Sequence, residues 1–264
     1  MGRPMQTVRG FTILELMVAM AIFGIICAAM FALLQLSQQK YSSETQLSGS
    51  FQEARLGVDQ IVRDINISGY PSLTLFSRPA SVYSYAVNPV AWDPSYPTNP
   101  NCQVAITCIP NPGDFDLILE TDLGDGNGVS WIRYYLDQTT NILYRGVVPK
   151  KSAGSDPVSA LPESAMTPFV ENVMNSVSDP LLTQIRSQYP AMFPTGPVPI
   201  FQYTCRTPQG PLPCSSSPVN YYGPTNISDI DVTLIVKTKN GDMQTQSLRL
   251  LELTGRGHVS NASY

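Results

Sequence analysis

The hydrophobic pattern of the chain changes about a quarter of the way from its N-terminus. Residues 16–39 carry no charge, and residues 16–34 are apolar throughout. A helix needs about 20 predominantly apolar residues to cross a bilayer. The run at 16–34 therefore predicts a membrane-spanning helix.

Beyond this run the chain stays compatible with a helix, but its apolar positions narrow to one stripe. The members of the stripe are three or four residues apart: Leu47, Phe51, Ala54, Val58, Ile61 and Ile65. Polar residues lie off the stripe: Gln52, Asp59, Arg63 and Asp64. This spacing places the apolar side chains on one helix face. It predicts one helix over residues 11–66, which docks its stripe on a globular head and ends before Pro71.

After Pro71 the hydrophobic period changes to two, which is typical of strands. Alternating or short apolar runs predict strands at 115–119, 132–136, 142–148, 200–203, 230–236 and 246–253. The pair Asn240-Gly241 between the last two is a strong hairpin signal. The predicted fold class is α+β, with a long N-terminal helix whose first half is membrane-embedded. Its second half packs on an antiparallel β-sheet head.

Proline placement supports this division of the chain. Of the 23 prolines, Pro4 is the only one before Pro71, and proline breaks helices. Pro-rich segments at 77–114, 149–168 and 205–225 are predicted surface loops, and Asp179-Pro180 predicts the start of a short helix to Tyr189. The hydrophobic share of 43% and the net charge of −4 exclude a disordered chain.

The N-terminal charges predict the orientation of the membrane helix. Arg3 and Arg9 precede the apolar run, which places the N-terminus in the cytoplasm and the head outside it. A cleaved secretory signal is disfavoured because the one small-x-small site, residues 19–21, lies inside the run. A lipoprotein signal at Cys27 and myristoylation at Gly2 also lack their flanking residues. A plain signal anchor is the simplest alternative.

Residues 9–18 read Arg-Gly-Phe-Thr-Ile-Leu-Glu-Leu-Met-Val, with Glu15 at the edge of the apolar run. A carboxylate there is costly in a bilayer and needs a partner. The string resembles the class III signal of type IV prepilins and type II secretion pseudopilins. The resemblance implies prepilin peptidase cleavage between Gly10 and Phe11, and N-methylation of Phe11. It also implies that Glu15 pairs with the Phe11 ammonium of a neighbouring subunit during assembly.

The resemblance also implies a domain organisation. Residues 1–10 would be the leader peptide, 11–36 the transmembrane assembly helix, 37–68 its amphipathic extension and 69–264 the extracytoplasmic head. Removal of ten residues, which include Arg3 and Arg9, would leave 254 residues with a net charge of −6.

Length and the absence of proline in the membrane half favour a minor subunit over a major pilin. Residues 52–56, 63–65 and 131–136 resemble parts of the PilW-like minor pilins and the J-type pseudopilins. The implied function is a minor pilin at the filament tip or in the priming complex. A J-type pseudopilin and a signal-anchored extracytoplasmic binding protein are the alternatives. The implied partners are prepilin peptidase, other minor pilins, the major pilin, the inner membrane and the assembly platform.

Four cysteines lie in the predicted external part, where disulfides are expected. Three connectivities are open, and local pairs are favoured, Cys102 with Cys108 and Cys205 with Cys214. Zinc is the alternative, but no Cys-x-x-Cys spacing supports it. Cys27 is interpreted as packing in the membrane helix.

No cofactor is predicted, apart from a weak calcium candidate. Asp122, Asp125 and Asn127 lie in a Gly-rich loop between two predicted strands, but the spacing is not that of an EF-hand. A turn is the simpler interpretation. The single histidine, His258, is an expected surface residue, and no enzyme motif is present. We therefore expect no catalysis. We also expect no nucleic-acid binding, because an acidic chain lacks the positively charged surface that nucleic acids need.

Overall fold

The computed structural model describes residues 10, 12–69, 89–91, 113–126, 128–150, 160–176, 182–194, 196–208, 210–214, 227–238 and 249–259. Several features named above lie outside these residues. Among them are Phe11, Asn127, the cysteine pair Cys102 and Cys108, the Asp179-Pro180 helix start and the Asn240-Gly241 turn.

One helix, α1, occupies Ile13–Ile67 and contains 55 residues. At 1.5 Å per residue it is about 82 Å long. The N–H and hydroxyl of Ser68 both donate to the carbonyl of Ile65, at 3.0 and 2.7 Å. Gly69 follows with a φ of 72°, a left-handed conformation that glycine adopts at low cost. The predicted single long helix is confirmed.

The head contains two antiparallel sheets. The first has the order β1-β2-β3-β4-β5, formed by Val90–Ala91, Asp116–Asp122, Val129–Asp137, Ile142–Pro149 and Thr167–Val170. The second has the order β7-β6-β8-β9, formed by Gly210–Pro213, Phe201–Thr207, Ile227–Lys237 and Leu250–His258. A 3-10 turn at Glu163–Ala165 and a short helix, α2, at Leu182–Gln188 complete the described elements.

The predicted α+β fold class, a long N-terminal helix packed on an antiparallel β head, is confirmed. The head contains two sheets where one was expected. The chain after β5 leaves the first sheet and joins the second, where Val173 bridges Val236 of β8. The N–H of Met174 donates to the carbonyl of Ile235 at 2.7 Å. The Asn175 amide then donates to the carbonyls of Val198 and Thr233 and accepts from the N–H of Ile235. This segment joins the two sheets around one core.

Several strand boundaries also differ from the prediction. The last strand is Leu250–His258, displaced from the predicted 246–253. The strands β1, β5 and β7 were not predicted, because they have two to four residues each. Two of them contain proline, which is tolerated at sheet edges. The predicted short helix is present as α2.

The α1 stripe packs between the two sheets, as its spacing predicted for four of its six members. Ala54, Val58, Ile61 and Ile65 are buried in a core with apolar residues of both sheets. Phe51 is exposed, which corrects its assignment to the buried face. Asp64 was placed off the stripe and is instead 2% exposed, because it has polar partners in the head.

Candidate functional site

The first turn of α1 holds Glu15 through a capping box. Thr12 is the N-cap, and its hydroxyl oxygen accepts from the N–H of Glu15 at 3.3 Å. In return, the N–H and hydroxyl of Thr12 donate to Oε2 of Glu15, at 3.0 and 3.1 Å. This reciprocal pairing satisfies backbone donors that a helix start leaves open. The Thr-x-x-Glu spacing could have revealed the role of Thr12, which sequence reasoning missed.

The structure brings only part of the predicted N-terminal site into view. Gly10 is exposed, and a Cβ placed on it would meet no atom within 4 Å. Glu15 lies in the first turn of α1, with its carboxylate turned back towards Thr12 at the helix start. Phe11 lies outside the described residues, so its pairing with Glu15 remains a prediction.

The N-terminal half of α1 presents an uncovered apolar surface. Its large side chains are exposed, from 81% at Ile13 to 67% at Phe31 and 54% at Leu34. Within the described residues, α1 is the one helix long and apolar enough to span a membrane, and none of that apolar window is buried. A continuous exposed apolar surface indicates contact with lipid or protein. Cys27 lies in this half as a free thiol.

A buried polar network fixes the other half of α1 to the first sheet. The phenol of Tyr134 on β3 donates to Oδ2 of Asp64. Arg145 on β4 donates to the same oxygen through Nη2 at 2.8 Å, and Gln60 donates to Oδ1 at 2.8 Å. Burial, together with the Asp64 charge, raises the pKa of Tyr134 well above its ordinary value. The phenol therefore remains a donor, and the carboxylate is satisfied at this helix–sheet junction.

The opposite face of the first sheet contains a second set of buried charges. Nζ of Lys150 lies 2.7 Å from Oε1 of Glu120, and the Trp131 indole donates to the same oxygen at 2.8 Å. Arg133 forms two hydrogen bonds with Asp116, at 2.7 and 3.0 Å. A buried charge pair makes loss of one partner costly. These pairs have a structural role in the sheet.

The second sheet lies along α1 with strand β9 beside the helix. Arg249 before β9 pairs with Glu44 at 3.2 Å, and the N–H of His258 at its end donates to Asn66 at 2.8 Å. Between these points, glycines allow close contact. A Cβ on Gly257 would lie 2.5 Å from Ile65, and one on Gly255 would lie 2.6 Å from Val58. Helix and strand therefore run in the same direction.

The disulfide between Cys205 and Cys214 is present and links the β6–β7 region. This confirms the predicted local pair. Both ends lie at the second sheet, since the N–H of Cys214 donates to the carbonyl of Tyr203 at 3.0 Å. The bridge closes the short β6–β7 hairpin.

The loop that follows β2 has the geometry of a turn. Oδ1 of Asp122 accepts from the N–H of Gly124 at 2.8 Å, and Gly124 and Gly126 have φ values of 73° and 82°. Asn127 lies outside the described residues. No group of three metal-binding side chains occurs in the part of the chain that is described. Calcium binding by this loop, which also contains Asp125, stays an untested prediction.

His258 lies on the exposed face of the second sheet, where its Nδ1 is 3.1 Å from Oδ1 of Asp229. Nε of Arg256 lies 3.5 Å from the same oxygen. Partial burial opposes ionisation of Asp229, but hydrogen bonds from Ser228 and His258 and the Arg256 charge lower its pKa. Asp229, Arg256 and His258 therefore form a cluster of neighbouring polar and charged side chains on the surface of the sheet.

Comparison with known proteins identifies the N-terminal region. The prokaryotic N-terminal methylation motif matches residues 5–31. No curated protein and no solved structure gives a significant match to the chain.

The motif supports a type IV pilin-like or pseudopilin-like precursor. The apolar helix α1 and the β-rich head, as far as the structure describes them, fit that class. The motif indicates a structural subunit rather than an enzyme. It implies processing by prepilin peptidase and assembly with pilus components in general. The exposed apolar helix fits the membrane anchor typical of pilins.

Proposed function

We propose that this protein is a minor pilin of a type IV pilus, incorporated at the filament tip or in the priming complex. The observation that carries the proposal is one helix with two environments. Its first half bears the methylation motif and an uncovered apolar surface, whereas its second half is fixed in the head. In such a subunit, the first half of the helix is available to pack against other subunits, while the second half stays packed in the folded head.

In this proposal, prepilin peptidase cuts after Gly10 and methylates the new amino group of Phe11. The ammonium of Phe11 then pairs with Glu15 of a neighbouring subunit. Both charges are costly in an apolar helix bundle, and pairing offsets that cost while fixing the axial register. The capping box supports this step because it keeps the Glu15 carboxylate at the helix start before assembly.

The minor-subunit assignment rests on the helix and on the head. No proline interrupts the membrane half of α1, and the described part of the head contains two antiparallel sheets. The Pro-rich segments of the sequence are the expected place of partner recognition, because recognition residues concentrate in surface loops. The precursor waits in the inner membrane with its head in the periplasm. Other minor pilins, the major pilin and the assembly platform contact it there.

The experiment is an assembly assay in a host that carries the filament system. Glu15→Ala is compared with wild type and with Glu15→Asp, which keeps the charge. We expect wild type in the sheared filament fraction and Glu15→Ala in the membrane fraction, still cleaved after Gly10. Partial assembly of Glu15→Asp is the matched control.

Normal assembly of Glu15→Ala would contradict the proposal and favour a simple membrane tether. Co-purification of the wild-type protein with pilus retraction components separates a pilus from a secretion pseudopilus. Its recovery only with secretion components would replace the minor-pilin assignment with the J-type assignment.

A further inference from the structure

We propose that the free edge of β9 is a docking site for an extended strand of a different protein, added antiparallel to β9. This inference concerns the head and goes beyond the assembly role of α1. It begins from the hydrogen-bonding groups of β9, which is an edge strand of the second sheet.

The direction of the β9 backbone groups follows from its last residues. The N–H of Val259 donates to the carbonyl of Ser228 at 2.8 Å, towards β8. The N–H of His258 donates to Asn66, away from β8. Because alternate residues of an edge strand point their backbone groups the same way, Glu252, Thr254 and Arg256 direct theirs outward. Among the described residues, the outward N–H and C=O groups of these three residues have no backbone hydrogen-bond partner.

The other described sheet edges are protected. β1 has two residues, β5 has four and contains Pro168, and β7 has four and contains Pro211 and Pro213. Short strands and proline are the usual means of preventing strand addition. β9 has nine residues and no proline. Unpaired N–H and C=O groups in an extended row are satisfied best by another extended backbone.

The side chains on this edge define the chemistry of the incoming strand. Glu252, Thr254 and Arg256 are exposed on one face of β9. On its other side, β8 places Asp231 opposite Arg256 and Thr233 opposite Thr254. Opposite charges and Thr–Thr pairs stabilise neighbouring strands. An antiparallel partner is therefore expected to place an acidic residue at Arg256, threonine at Thr254 and a basic residue at Glu252.

Arg256 is available for such a partner. Its Nε lies 3.5 and 3.6 Å from Asp229 and Asp231, and its side chain is 56% exposed. Exposed ion pairs of this kind contribute little. A new acidic neighbour on the free side can share the guanidinium without displacing a buried contact.

The β9 strand of a second copy would also place a glutamate opposite Arg256 and an arginine opposite Glu252. Its orientation, however, does not suit a protein that is anchored in a membrane. Helix α1 and β9 run in the same direction, as the contacts of Glu44 with Arg249 and of Asn66 with His258 require. Antiparallel pairing of two β9 strands would point the two apolar helix halves in opposite directions. This exclusion rests on the proposed membrane anchoring. The occupant is therefore a strand of another protein.

The test uses the full chain in detergent micelles and two synthetic peptides. One is Ser-Glu-Val-Thr-Val-Lys-Ser, which places its charges opposite Arg256 and Glu252 in antiparallel pairing. The other has the two charges exchanged. We expect the first to bind at least about tenfold more tightly, a ratio that corresponds to about 1.4 kcal/mol. Its binding should slow amide exchange at residues 252–256.

Two variants distinguish backbone pairing at the β9 edge from nonspecific binding of the peptide. Thr254→Pro removes an outward N–H and leaves the β8 ladder intact, because that donor faces away from β8. It should lose at least about tenfold in peptide affinity, since a good hydrogen-bonded edge contact is lost. Thr254→Val keeps that N–H and loses only the Thr–Thr side-chain pair, so its loss should be much smaller. Unchanged thermal unfolding of both variants shows that the head is folded. If Thr254→Pro unfolds, exchanging the charges by Glu252→Arg with Arg256→Glu replaces it and should reverse the peptide preference.

Equal binding of the two peptides, binding of neither, or normal binding by Thr254→Pro would overturn the proposal. Cross-links between two copies through residue 254 would assign the edge to self-association instead. None of these outcomes depends on cleavage after Gly10, so failure here is distinguishable from failure of the proposed pilin function.

Discussion

The two halves of α1 share one backbone geometry and face opposite environments. Ile25 in the first half is 70% exposed, whereas Ile61 in the second half is fully buried. Apolar residues surround the first half on all sides, but they form a narrow stripe in the second. A helix that is apolar all round needs lipid or other helices, whereas a striped helix needs one covered face. The difference separates an assembly element from a docking element within one helix.

The largest expected effect comes from replacing one isoleucine by alanine in each half of α1 and comparing the two variants. Ile61→Ala leaves a cavity between two sheets and should lower the free energy of unfolding of the head by about 2–5 kcal/mol. Ile25→Ala should leave head unfolding unchanged because its side chain is exposed to the detergent. Denaturant unfolding of the full chain in micelles, followed by tryptophan fluorescence, measures both. Equal losses in the two variants would contradict the division of α1.

Breaking the buried network at Asp64 should have the next largest effect. Asp64→Asn removes the charge that pairs with Arg145 and should cost about 3 kcal/mol, at the lower end for buried pairs because Arg145 is partly exposed. Asp59→Asn is the matched control on the exposed face of the same helix. It should change stability by less than about 0.5 kcal/mol. A similar cost for both variants would show that the junction does not hold the helix.

Two glycines provide a smaller and opposite pair of effects. Gly257→Ala would place a Cβ 2.5 Å from Ile65, and such overpacking should cost about 1–3 kcal/mol. Gly49→Ala lies on the exposed helix with no atom within 4 Å. It should stabilise the local helix by up to about 1 kcal/mol. Thermal unfolding measures the first, and slower amide exchange over residues 45–52 measures the second. Stabilisation by Gly257→Ala would contradict the close contact between helix and strand.

The smallest effect is expected at the start of α1. Thr12→Val removes the hydroxyl of the capping box and should weaken the first turn by about 1 kcal/mol. Thr12→Ser keeps the hydroxyl and should behave as wild type. Amide exchange at Glu15 should become about fivefold faster in Thr12→Val, as that free energy implies. Identical exchange in both variants would exclude a role for the capping box.

The elements with local signals were predictable from the sequence. The apolar run and the stripe predicted α1, and period-two alternation predicted the central strands. Cys205 and Cys214 are nine positions apart, so their pairing was also a local prediction. The methylation motif is contiguous, so the sequence alone was enough to recognise it. The roles of Gly10, Phe11 and Glu15 stay predictions.

The features that could not be predicted from the sequence depend on residues that are far away along the chain. Asp64 is buried because Arg145, 81 residues away, pairs with it, and no local pattern shows this. The two-sheet arrangement depends on the crossing of the chain at Val173. The last strand was misplaced because Gly255 and Gly257 face the helix where apolar side chains would normally alternate.

The most direct measurement is mass spectrometry of the N-terminus of the protein purified from a host that carries prepilin peptidase. We expect a chain that begins at N-methylated Phe11 and lacks the first ten residues. A Gly10→Val variant should retain Met1 and remain in the membrane. An intact Met1 in the wild-type protein, or cleavage at any other bond, would contradict the assignment of α1 as an assembly helix.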